Sequence, residues 1–236
     1  MKNKHDHLEI ITGLKKIIQV IFLLFWIGLP IHRVFGQTNR TFDKPIVFDE
    51  LRKKLSLEYL RERHGIIQDS ATISPKMIVL HWTAIPTLEE SFNVMNPSVL
   101  PGARSGIAGA SSLNVAAQFL VDRDGTIFRQ LSETAFARHT IGLNYCAIGI
   151  ENVGGANAPL TEEQLVANVA LIRYLKKKYS IEYVIGHHEY KTFIGHPLWK
   201  EKDPNYLTDK TDPGDSFMKR VRERIEDLKI GGAITK

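Results

Sequence analysis

From Phe48 to Arg63 the apolar positions Phe48, Leu51, Leu55 and Tyr59 recur at helical spacing with Leu60 beside them, which predicts an amphipathic helix. The pattern then shortens. Met77 to Leu80, MIVL, is a four-residue apolar run bounded by Pro75 and polar residues, the signature of a buried strand with His81 at its carboxyl end. NVAAQFLV and TIFRQL read as two more strands, joined by Asp122-Arg123-Asp124-Gly125, whose Asp-Gly step suits a tight hairpin turn. CAIGIEN, closed by Gly154-Gly155, is a fourth strand, and YVIG, Tyr183 to Gly186, a fifth, with His187 just past its end. Between them Leu165, Val169, Ile172, Leu175 and Tyr179 keep one apolar helical face, opened by a Thr161/Gln164 capping-box spacing and closed by Lys176-Lys177-Lys178. A last helix is expected over residues 216–228, after the turn enforced by Asp212-Pro213-Gly214.

The order α, β, β, β, β, α, β, α predicts an α/β fold, a single domain with a central mixed sheet flanked by helices. In front of it, Lys15 and Lys16 precede the run Ile17 to Ile31, whose only polar residue is Gln19. A spanning helix needs roughly 20 apolar residues, so this run reads as the core of a signal peptide, with Val34-Phe35-Gly36 before Gln37 at the cleavage point. The expected organisation is a signal peptide over 1–36, an extension with the first helix over 37–75, and the main domain over 76–230. The protein is then exported, to the periplasm or beyond, with no stable membrane insertion after cleavage.

Composition sharpens this. At 43% hydrophobic and 24% charged, the chain can bury a full core. Cys146 is its one cysteine, so no intrachain disulfide is available. Of the net charge of +5, residues 1–36 hold five basic against two acidic residues, and the remaining balance is too mild to argue for nucleic acid. His5 and His7 fall in the discarded segment. Nothing in the sequence sets the oligomeric state.

Candidate chemistry gathers at element ends: His81, His187 or His188, and Asp212 in KTDPG. Three such ligands with an open fourth position make a catalytic zinc site, in which the metal brings a water to a pKa of about 7. The spacing alone leaves a second reading open, in which the histidines and the aspartate cap their strands and turn by hydrogen bonding. No HExxH is present, since HEYKT has threonine where the second histidine would stand.

VLHWTA, QFLVDRDGTIFRQL, ARHTIGLNYCAIGIENVG, LTEEQL, VIGHHEY and KTDPG occur in an order that resembles type 2 N-acetylmuramoyl-L-alanine amidases and the related peptidoglycan recognition proteins. The resemblance spans roughly Lys76 to Arg224, with GIENVG and KTDPG its most specific parts. It implies zinc held by His81, His187 and Asp212, Glu151 as the acid/base, and Lys210 as the charge beside the oxyanion. His139 and Thr83 would line the cleft, and Gln118 stands where the family commonly has a histidine that contacts substrate or supports the site. The implied reaction is hydrolysis of the amide between N-acetylmuramic acid and L-alanine in peptidoglycan or muropeptides. The other class of reading is a non-catalytic peptidoglycan-binding module of the same fold, and a third is a cysteine hydrolase using Cys146 with His139.

The chain departs from the family between His187 and Asp212, where a gap close to ten residues is usual and 25 positions separate the two here. That insertion holds three rival ligands, His196, Asp203 and Asp209, and three aromatics, Phe193, Trp199 and Tyr206, expected to wall the cleft. Residues 89–112, rich in Pro, Gly and Ser, read as a second long connection. Strand alternation lets only one histidine of VIGHHEY face His81 and Asp212, and the resemblance implies the one directly after Gly186, His187, leaving His188 as a flanking residue.

Overall fold

The computed structural model describes residues 40–102 and 105–235. The expected signal peptide and His5 and His7 lie outside the described residues. Among them no helix is long and apolar enough to cross a membrane.

Six strands among the described residues form one mixed sheet: β1 (Thr41–Asp43), β2 (Met77–Trp82), β3 (Phe119–Val121), β4 (Ile127–Arg129), β5 (Ala147–Asn152) and β6 (Tyr183–Gly186). Their order across the sheet is β1-β4-β3-β5-β2-β6. The β3/β4 pair is antiparallel, as the Asp-Gly turn requires, and every other pairing is parallel. Gly125 takes φ +80° in that turn, a conformation open to glycine and strained for most residues. Strand β1 was not legible as a strand, because three exposed residues at a sheet edge carry no apolar alternation.

The central strands are apolar on both faces because both faces are covered. Ile78, Leu80, Ile148, Ile150 and Val184 pack against helices α1 (Glu50–His64), α3 (Glu162–Lys178) and α4 (Asp215–Ile225). Met77, Val79, Ala147 and Ile185 point the other way, onto a second core built with Tyr190, Phe193 and Leu198. The insertion after β6 therefore covers a sheet face. The capping box of α3 forms as read, with Thr161 and Gln164 each bonding the other's backbone.

Helix α1 belongs to the main core, since Tyr59 and Leu60 share a cluster with Ile78 and Leu80. Its buried face also differs from the apolar spacing: Leu51 is exposed, while Arg52 and Ser56 are buried. Arg52 can be buried because its guanidinium donates to the carbonyls of Met95 (2.8 Å), Asn96 (3.1 Å) and Pro97. Those carbonyls end helix α2 (Leu88–Met95), an element absent from the sequence reading, capped by Thr87. Burial pushes Arg52 down to about 10, so it remains a cation at neutral pH.

Arg52→Ala leaves these carbonyls unpaired and opens a void between α1 and α2. A loss of about 3 kcal/mol is expected in denaturant titration. A loss below about 1 kcal/mol would show that the clamp is not what holds α1.

Candidate metal centre

In open sheets of this kind a crevice forms outside the carboxyl ends of parallel strands. Strands β2, β5 and β6 end together here, and the register places His81 beside Glu151 on adjacent strands. Their ends open into a cleft of about 460 Å³ lined by His81, Thr83, His139, Glu151, His187, Lys210 and Asp212.

Three of these groups converge. His81 Nδ1 lies 3.0 Å from His187 Nδ1, His81 Nδ1 lies 3.1 Å from Asp212 Oδ2, and His187 Nδ1 lies 3.0 Å from the same oxygen. All three residues are buried. Hydrogen bonding cannot satisfy this triangle. If both Nδ1 atoms carry protons, two N–H groups oppose each other, and if either is stripped, its lone pair faces the carboxylate. A cation at the centre removes the conflict, and tetrahedral zinc bonds of about 2.0–2.1 Å hold donors about 3.3 Å apart, close to the spacing present. Among the described residues, this is the group of His, Cys, Asp or Glu side chains able to hold a metal.

The surroundings favour the protonation states that a metal needs. Burial, and then the neighbouring His81, push His187 down to about 4. Burial works to raise Asp212, but the imidazoles of His187 and His81 outweigh it and hold the carboxyl well below the usual range. His139 sets the ring of His81. The Ala147 carbonyl, 3.1 Å from His139 Nε2, can only accept, so Nε2 carries the proton and Nδ1 is free to accept from His81 Nε2 at 3.1 Å. That tautomer leaves His81 Nδ1 as a lone pair facing the centre. Gly149 provides the room: a Cβ there would lie 2.9 Å from His139 Cγ.

The remaining sequence candidates divide. Glu151, Lys210 and Thr83 line the cleft, and the Thr83 hydroxyl shapes the next loop by donating to the Ile85 carbonyl at 2.9 Å. His139 also lines it, with both ring nitrogens engaged by the protein. Gln118 does not reach the cleft. It is buried, its amide donating to Ala135 O at 2.8 Å and accepting from Gly149 N at 2.7 Å, so it braces β3 against β5 and has no open face for a substrate.

None of the rival ligands joins the triangle. Asp209 pairs with Lys191, Asp203 lies 3.6 Å from Arg63, and His196 packs on Tyr183 and Phe193. Of the three aromatics, Tyr206 alone lines the cleft. Phe193 is buried in the second core, and Trp199 lies over Gly142, where a Cβ would come within 2.7 Å of its ring. The cleft residues that sequence reading missed include Tyr59 on α1 and Arg138, whose guanidinium donates to three carbonyls and to the Tyr206 hydroxyl at 3.0 Å. Cys146 is fully buried, and burial pushes its thiol up to about 12, which removes it as a nucleophile at neutral pH.

The family model described as N-acetylmuramoyl-L-alanine amidase matches residues 71–215, more than half of the chain. The chain belongs to the N-acetylmuramoyl-L-alanine amidase family. Among solved structures, this amidase-family chain is similar to the N-acetylmuramoyl-L-alanine amidase LysC from Clostridium intestinale URNW, at 24% identity over 70% of this chain and 95% of that one, with a TM-score of 0.45. It is also similar to human PGRP-IBETAC in complex with glycosamyl muramyl pentapeptide, at 18% identity over 64% and 85% of the two chains and a TM-score of 0.45. The Ph2119 endolysin from a Thermus scotoductus MAT2119 bacteriophage aligns at 21% identity over 64% and 84%, with a TM-score of 0.43. Among curated proteins none matches. The match begins at residue 71, within the chain that follows α1, so the amidase-family model omits the helix carrying Tyr59 and Arg52.

Proposed function

We propose that this chain is a zinc-dependent amidase that cleaves the bond between N-acetylmuramic acid and L-alanine in peptidoglycan or in muropeptides released from it. The observation that carries the reading is the convergence of His81, His187 and Asp212 at 3.0–3.1 Å in a cleft that also holds Glu151 and Lys210. His81, His187 and Asp212 would hold the zinc. When bound, the metal supplies a Lewis acid and brings a water to a pKa of about 7.

The chain's own groups complete the chemistry. Glu151 takes the proton of the attacking water and passes it to the leaving amine. Lys210 sets positive charge where the carbonyl oxygen becomes negative. Export follows from the apolar run Ile17 to Ile31, with residues 1–36 removed as a signal peptide and the mature chain acting outside the cytoplasm.

Incubation of the purified protein with muropeptides, followed by mass spectrometry, tests the reading. Free peptide stems are expected with zinc, none after chelation, and no change after iodoacetamide. Muropeptides that stay intact while binding the protein would identify a recognition module of the same fold instead.

A further inference from the structure

We propose that His188 is the positioning residue that holds Asp212 in the metal centre, so that the two adjacent histidines serve one site, the first as ligand and the second as brace. The proposal rests on the zinc reading above, and concerns how this chain returns its third ligand.

Asp212 lies 25 positions after His187, across a segment whose apolar residues Tyr190, Phe193 and Leu198 pack against Met77, Val79, Ala147 and Ile185 of the sheet. A carboxylate brought back from so far must be fixed at its backbone as well as at its side chain. Two donors meet its carbonyl: His188 N at 2.9 Å and His188 Nδ1 at 2.9 Å. A carbonyl only accepts, so both nitrogens donate to it. The other ring nitrogen, Nε2, stands 2.9 Å from Asp215 Oδ1 at the start of α4. That approach is not aligned as a hydrogen bond, so it is the bond from Nδ1 to the Asp212 carbonyl that fixes the ring.

Gly186 supplies the second line of argument. Its backbone, at φ −80° and ψ 153°, is an ordinary extended one that any residue adopts, so its glycine is not required by conformation. It is required by space: a Cβ there would lie 2.7 Å from His188 Cε1, 2.8 Å from His188 Nδ1 and 2.9 Å from Met218 Cγ. The strand end gives up a side chain so that the imidazole can fold beneath it toward Asp212. In Gly186-His187-His188, room, ligand and brace are consecutive.

Outer partners of metal ligands are worth 10- to 100-fold in affinity. The test measures zinc affinity by competition with a chromogenic chelator at neutral pH, for wild type, His188→Ala, His188→Asn and Gly186→Ala. Amide hydrogen exchange of residues 209–214 is followed in the metal-free proteins. His188→Ala is expected to weaken zinc about 10- to 100-fold and to speed exchange in that loop. His188→Asn keeps a donor at the place of Nδ1 and should recover most of both. Gly186→Ala, which removes no hydrogen-bonding group, should behave like His188→Ala.

Unchanged affinity in His188→Ala overturns the proposal, as does equal loss in the alanine and asparagine variants. A wild type that binds no zinc overturns the amidase reading instead. In that event the loop exchange decides the bracing role, faster exchange in His188→Ala with rescue by asparagine supporting it and unchanged exchange refuting it.

Discussion

His187→Ala is expected to leave the purified protein without zinc and without turnover, while its sheet stays intact. Two ligands remain in that variant, and catalytic zinc sites rest on three. The fold should survive, because β6 is held by its parallel pairing with β2 through residues 183–186, before the histidine begins. The metal-free variant should nevertheless show its loss at Asp212. That buried carboxyl is held far below the usual range by His187 and His81, and removing one of them lets burial raise it again. Metal content by atomic emission is the decisive measurement, and zinc at one ion per chain in His187→Ala would displace His187 from the ligand set. The contrast with His188→Ala is one of degree, complete loss against weakened binding.

How much of this was legible before the fold was known depends on the range over which each residue finds its partners. The apolar runs MIVL, AIGI and YVIG were legible as strands because both of their faces are covered, and an uninterrupted run is what such a strand needs. The Thr161 capping box and the Asp-Gly hairpin were equally plain, since their partners lie within a few residues. Arg52 was not, because its three carbonyls stand more than 40 positions away and nothing local marks it as a core residue. Helix α2 could have been found: Thr87 before Leu88, Glu89 and Glu90 in the first turn, and Leu88, Phe92 and Met95 on one side give it a cap and a face.

The histidine pair was separated on a backbone geometry that the fold does not have at that point. Strand alternation was the reason for separating His187 from His188, yet β6 ends at Gly186 and His187–Phe193 is a tight helical turn. In that turn both side chains serve the Asp212 side of the molecule, one reaching its carboxylate and the other its carbonyl. The alternation rule could not show this, because it applies to extended backbone only.

Glu151→Gln is expected to retain zinc and to lose turnover by at least about 100-fold, the usual scale of acid/base assistance. Glutamine keeps the shape of the side chain and removes its ability to take a proton. Position argues for the role: Glu151 lies in register with His81 on the adjacent strand, so its side chain leaves the sheet on the same face and enters the same cleft as the metal ligands. It is not one of the three converging donors, which is why metal content should be unchanged. The paired measurement separates its two conceivable functions. Zinc lost together with turnover would make Glu151 part of the metal's support. Zinc retained with near-normal turnover would remove it from the mechanism and shift the proton transfer to another group lining the cleft, with His139, 3.1 Å from His81 and outside the three converging donors, to examine next.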